Sequence, residues 1–368
     1  MAAFLQRFLG PGRFLSDPPP SDPFQTPPVP GGGRAGVLLV NLGTPSAPDA
    51  PAIRRFLAEF LADPRVVELP RALWMPILHG AVLPLRPRRL RAKYAGIWMS
   101  EGSPLLVHSR RQADAVQAEL AARGHDVTVA LAMRYGEPGV AAGIRQLREA
   151  GCRRILVAPQ YPQYSASTTA TVVDCVAAYA GRLRDQPELR FIQRFYDDRG
   201  YIAAVAHRVR EAWSRQGRGQ KLIMSFHGLP KRSVELGEPY FAECMQTGRL
   251  LAEALHLAPE QYVVTFQSRF GAAEWLQPYT EPTVVALAAQ GIKTLDVVCP
   301  GFTADCLETL EEIAQENERA FTAAGGEALR HVPALNDDPA WIGALSSMLE
   351  RHLQGWETRL ARTPGGEA

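Results

Sequence analysis

Short apolar runs that lead into turns and then into helical periods recur along this chain in an order that leaves few architectures open. Strand-like runs stand at 36–41, 127–133, 155–158 and 191–195, with helical patterns near 52–61, 105–123, 139–150 and 168–183. The sequence then does the same again. Runs at 222–226, 263–267, 294–298 and 328–332 alternate with helices near 201–215, 241–256, 282–289 and 306–323, and an amphipathic stretch at 339–353 follows. Continuous apolar strands separated by helices belong to parallel sheets covered on both faces. The expected fold class is therefore α/β: two Rossmann-like doubly wound parallel-sheet domains facing a central cleft. At 368 residues the chain exceeds one ordinary core, so two domains are expected. Residues 1–33 read as a Pro/Gly-rich disordered arm, 34–196 as the first domain, 197–338 as the second, and 339–368 as a closing helix and tail.

In open α/β sheets ligands sit beyond the carboxyl ends of the strands, so the residues delivered there are the candidates for chemistry. His227 leads that set, because the run Leu222-Ile-Met-Ser-Phe ends on it and passes straight into a Gly-Leu-Pro turn. An imidazole placed there exchanges a proton near neutral pH, and a histidine satisfied by turn amides is the plainer alternative. The second such end, Val298-Cys-Pro-Gly, opens a helix on which Asp305, Glu308, Glu312 and Glu316 fall within one face at α-helical spacing. Residues 305–318 hold six carboxylates and no Lys or Arg, and like charges at i,i+4 cost stability. Such a stripe suits a hard or borderline cation, or a path for protons. An ordinary amphipathic helix with its acids in water is the plainer alternative. The remaining strand ends offer Leu42, Arg134, Tyr135 and Tyr161, and Trp275 stands in a loop of the second half. A structural ion pair would explain Arg134 equally well, and Tyr161 can stack on a flat ligand or pack its turn.

Several function classes are excluded. Neither half contains G-x-G-x-x-G or a Walker A sequence, so a nucleotide-dependent oxidoreductase lacks its phosphate cradle. A net charge of +2 gives no pull toward nucleic acid. The five cysteines form no C-x-x-C pair, which speaks against a zinc knuckle and for a reducing cytosol. No run of about 20 apolar residues exists. Segment 69–93 is the odd stretch: prolines at 70, 76, 84 and 87 argue against a continuous helix, and an apolar block with Trp74, Met75, Ile77 and Leu78 precedes a basic run, Arg86 to Lys93, free of acids. That arrangement fits a lip whose apolar residues enter a bilayer while its bases meet anionic head groups; a core helix followed by a solvated basic loop is the plainer alternative.

Together these segments resemble ferrochelatases, of the bacterial, Gram-negative-like branch. The landmarks are Val40-Asn-Leu-Gly-Thr-Pro45, Gly102-Ser-Pro104, Met133-Arg-Tyr135, Pro159-Gln-Tyr-Pro-Gln-Tyr-Ser-Ala-Ser-Thr-Thr169, Ser225-Phe-His-Gly-Leu-Pro230, Trp275-Leu-Gln-Pro278 and Gly301-Phe-Thr-Ala-Asp-Cys-Leu-Glu-Thr-Leu310. The resemblance implies insertion of Fe(II) into protoporphyrin IX to give protohaem, with porphyrin and ferrous iron as substrates. It implies His227 and Glu308 as catalytic and metal-holding residues, Glu312 and Glu316 as a proton or metal path, and Leu42, Arg134, Tyr135, Tyr161 and Trp275 around the porphyrin. Residues Trp74, Met75, Ile77 and Leu78 become the membrane lip of a cytoplasmic enzyme, monomer or homodimer, held peripherally at the inner membrane. Animal relatives carry an iron–sulfur cluster partly on a cysteine that is Ala166 here, so no cofactor and no cluster are expected. Cys306 replaces a histidine of some relatives, whose auxiliary role does not carry over. A coproporphyrin ferrochelatase, a chelatase for more polar tetrapyrroles, and a two-lobed haem- or metal-binding protein without turnover are the alternatives.

Overall fold

The computed structural model describes residues 34–271 and 273–359; the expected arm at 1–33 lies outside them. The first half runs β1 (Arg34–Gly43), α1 (Ala50–Leu61), α2 (Arg71–Ile77), α3 (Leu83–Ile97), α4 (Pro104–Ala122), β2 (Val127–Tyr135), α5 (Val140–Glu149), β3 (Cys152–Pro159), α6 (Thr171–Ala180) and β4 (Glu188–Phe191). The second runs α7 (Arg199–Gln216), β5 (Lys221–His227), α8 (Lys231–Glu235), α9 (Tyr240–Ala254), β6 (Tyr262–Gln267), α10 (Thr280–Ala289), β7 (Thr294–Val298), α11 (Glu318–Ala323), β8 (Ala328–His331) and α12 (Pro339–Leu353).

Two four-stranded parallel sheets result, ordered β2-β1-β3-β4 and β6-β5-β7-β8. The orders are identical, so β1 corresponds to β5 and β3 to β7, as the repeated sequence pattern requires. Each central strand is apolar along almost its whole length because helices cover both faces; Val37, Leu38, Leu39 and Val40 are fully or nearly fully buried. The fourth strand is Glu188–Phe191 rather than 191–195, because the edge of β3 pairs with Glu188 to Phe191. Phe195 lies past that edge, buried and stacked on Trp341 of α12 at 5.9 Å.

One core spans both sheets. It joins Val37 and Leu39 of β1, Val116 and Leu120 of α4, Met224 and Phe226 of β5, Tyr201 and Val205 of α7, and Leu345 and Met348 of α12. Polar ties cross the same boundary. Gln112 donates to the carbonyls of Thr303 and Asn336 at 2.8 and 2.7 Å, and Glu350 of α12 accepts from Arg123 at 2.7 Å.

The segment expected to be broken by its prolines is instead helical from Arg71 to Ile97, with a π turn at Leu78–Val82. The π turn shifts the bonding ladder by one residue between Pro76 and Pro84, with the Leu83 amide on the Leu78 carbonyl, so the helix carries on past both prolines. The helix turns part of its apolar block inward. Trp74 is buried with its indole N–H on the Leu61 carbonyl at 2.7 Å, and Leu78 is fully buried. Both join Ile53, Phe56, Leu57 and Tyr94 in one cluster, so neither is free to enter a bilayer. Met75 is half-buried beside Arg71, and Ile77 is exposed together with Leu69, Leu73 and Leu85.

Candidate active site

His227 ends β5, directly opposite Gln267 at the end of β6. Its Nδ1 lies 2.7 Å from the carbonyl of Gly228. A carbonyl only accepts, so Nδ1 carries the hydrogen and donates, which leaves Nε2 with the free lone pair. The turn that supplies this carbonyl admits no side chain: a Cβ at Gly228 would meet the Gln267 carbonyl at 2.7 Å and the ring of Trp275 at 3.1 Å. Trp275 therefore closes over the histidine turn. Among the described residues its own Nε1 is buried without a partner, as is the hydroxyl of Tyr161 beyond β3.

The acids follow a different winding from the one expected. Residues Glu308–Asn317 form a π-helix, and Asp305 precedes it instead of belonging to the stripe. Asp305 is buried and committed: it accepts from Thr309 and Asn336 at 2.8 Å each. In an i→i+5 ladder each residue turns less than in an α-helix, so Glu308, Glu312 and Glu316 line up more nearly along the axis; long π segments are rare and concentrate at functional sites.

The three carboxylates have different environments. Burial pushes the Glu312 carboxyl above its ordinary value, against hydrogen bonds from Ser268 and the neighbouring His227 imidazole. Glu312 accepts from the Ser268 amide at 2.7 Å, from the Ser268 hydroxyl, and from Gln267 Nε2 at 3.3 Å. Glu308 is half-buried near Arg86 and Tyr94 of α3. Glu316 is exposed and shares Lys93 with the buried Glu311, which lies 2.9 Å from the ammonium. Two of the bases expected at head groups thus turn inward: Lys93 ties α3 to the acid helix, and the half-buried Arg86 stacks 4.6 Å over Phe270. The apolar neighbours of α3 draw its inner face toward the cleft, while Arg88, Arg89 and Arg91 remain exposed.

Leu42 sits at the junction, packed both on the Trp74 cluster and on Cys306 with Leu105. Arg134 and Tyr135 do not offer their polar groups to the cleft. The Asp63 carboxylate claims both, accepting from the Arg134 guanidinium and from the fully buried Tyr135 hydroxyl at 2.9 Å, with Thr171 as a third donor. They form a buried support beneath the site. Sequence reasoning missed Gln267 and Ser268, although the strand-end rule that found His227 applies equally to β6 beside it.

A family model described as Ferrochelatase matches residues 34–353. The ferrochelatase of Bordetella pertussis is 61% identical over 355 residues, covering 96% of this chain and 98% of that protein. That of Methylibium petroleiphilum is 58% identical over 334 residues, 91% of this chain and 92% of the relative. Among solved structures, SirB from Bacillus subtilis with Fe3+ is similar in fold alone, with a TM-score of 0.50, 13% identity, and coverage of 86% of this chain and 95% of that one. With a family model over nearly every described residue and relatives this similar from end to end, the chain belongs to the ferrochelatase family.

Proposed function

We propose that this chain inserts ferrous iron into protoporphyrin IX to form protohaem. The observation that carries the reading is the imidazole of His227, its Nδ1 hydrogen fixed on the Gly228 carbonyl and its other nitrogen free, beside carboxylates on a π-helix. A free-base porphyrin holds two pyrrole protons in its plane, and its nitrogens reach a metal only when the ring is bent. Apolar contacts from Leu42 and Trp275 press the macrocycle, using binding energy to offset distortion. Nε2 of His227 takes a pyrrole proton. Imidazole and carboxylate together suit ferrous iron, so His227 and Glu308 are the groups that receive it, and Glu312 and Glu316 extend the route for iron or protons. The test is anaerobic incubation with ferrous iron and protoporphyrin or coproporphyrin, followed by absorbance: protohaem formation with slower use of coproporphyrin supports the reading. Uptake of porphyrin without metalloporphyrin would instead make it a binding protein.

The stripe carries its own expectation. Glu308→Gln lowers turnover on the order of 10²-fold, in the range of a lost acid, base or ligand group, whereas Glu318→Gln, beyond the π-helix, changes it by less than about twofold. Equal effects would favour acids that merely face water.

The exposed apolar residues of the lip support peripheral binding to the inner face of an anionic membrane. The residues concerned are Leu73, Ile77 and Leu85, at 57%, 42% and 58% exposure, with Arg88, Arg89 and Arg91 alongside. No helix among the described residues is long and apolar enough to cross a membrane. Each base near an anionic surface contributes about 1 kcal/mol over a Debye length of roughly 8 Å. Leu73→Ser with Ile77→Ser is expected to weaken binding to anionic vesicles, to impair use of bilayer-dissolved protoporphyrin more than of detergent-dispersed substrate, and to leave the melting temperature nearly unchanged. A lost melting temperature with unchanged vesicle binding would make these residues structural. Ala166 at the motif position of a cluster ligand, and cysteines without a C-x-x-C pair, support a chain that carries no iron–sulfur cluster.

A further inference from the structure

Ser268 stands immediately after β6 with φ at 64°, in the left-handed region that glycine adopts freely and serine rarely does. That conformation aims two donors of one residue at one carboxylate: its amide reaches one oxygen of Glu312 at 2.7 Å and its hydroxyl the other. Gln267, also a donor to that carboxylate, binds the Glu308 carbonyl at 2.8 Å and so pins the start of the π-helix. A glycine would relieve the backbone and keep the amide. It would lose the hydroxyl, so the strained serine makes sense only if the second donor is used.

We propose that Ser268 is a positioning residue that clamps the Glu312 carboxylate in a single orientation on the π-helix. This deepens the proposed metal insertion and rests on it. With both oxygens held from the β6 side, the carboxylate keeps one orientation and meets the substrate already aligned, so no reorientation of Glu312 is left to the reacting complex.

The test compares Ser268→Gly, Ser268→Ala, Glu312→Gln and the doubles, with the unaltered chain assayed alongside. Ser268→Gly should be at least as stable as the parent yet lose roughly tenfold or more in kcat, the size of a charge-assisted hydrogen bond, with the KM for porphyrin unchanged. Ser268→Ala should lose a similar factor. On the Glu312→Gln background neither change should lower kcat further. Full kcat in Ser268→Gly, or losses that multiply with Glu312→Gln, would overturn the clamp. A parent chain that makes no metalloporphyrin would overturn the proposed function, and the two failures are thereby distinguished.

Discussion

His227→Ala is expected to lower turnover by about 10²–10⁴, the usual contribution of a positioned acid or base, while porphyrin still binds. The side chain is half-buried at a strand end and, among the described residues, makes one hydrogen bond, to its own turn, so little packing is lost. The strand that carries it is independently held by β6 and β7. The melting temperature should therefore move little. Stopped-flow and steady-state rates with ferrous iron, together with fluorescence quenching by bound porphyrin, separate the two effects. A variant that kept near-normal turnover would remove His227 from the proton step and leave the carboxylates to perform it.

Asp63→Asn should act in the opposite way, on stability before chemistry. The side chain lies in the turn after α1, almost fully buried, with Arg134, Tyr135 and Thr171 converging on one of its oxygens and the Arg65 amide on the other. Burial alone pushes the Asp63 carboxyl up, but the hydrogen bonds from Thr171, Arg65 and Tyr135 and the charge of Arg134 outweigh it and hold it below 3.8. Replacing it leaves a largely buried guanidinium without its counter-charge, a loss of up to about 3 kcal/mol, the lower end for a buried pair. The sign with pH follows from the depressed value. A lowered carboxylate contributes stability above its unfolded value of 3.8 and loses it as pH falls through the folded one. The gap between parent and variant should be full at neutral pH and shrink in strong acid, as measured by denaturant unfolding. A gap independent of pH would mean that shape rather than charge is what the site uses.

The central strands were legible because a strand buried on both faces has to read as an apolar run, and β7 needed no adjustment at all, whereas the edge strand β4, exposed or half-buried throughout, was placed too late in the sequence. His227 was legible for a related reason: a strand end followed by Gly and Pro leaves its last side chain at the sheet edge. Local pattern fails where the deciding partner is remote in sequence. Nothing near Trp74 announces the Leu61 carbonyl, and nothing near Lys93 announces Glu311, 218 residues away. The π-helix was invisible too. Its residues have ordinary helix propensities, and the wider winding follows from what grips it, Gln267 on the Glu308 carbonyl and Ser268 on Glu312. Tyr135 misled because a strand end points to a cleft only if no buried group claims its side chain first.

The core shared by both sheets has a consequence for biosynthesis. The apolar face of α4, with Val116 and Leu120, is finished by α12, and the Asp126 amide bonds to the Thr358 carbonyl at 2.6 Å. A ribosome has translated more than two hundred further codons before those partners exist. The first half therefore waits on the nascent chain with an uncovered greasy surface, and a premature stop before α12 yields a polypeptide whose fate is capture by chaperones or proteases rather than a smaller working enzyme.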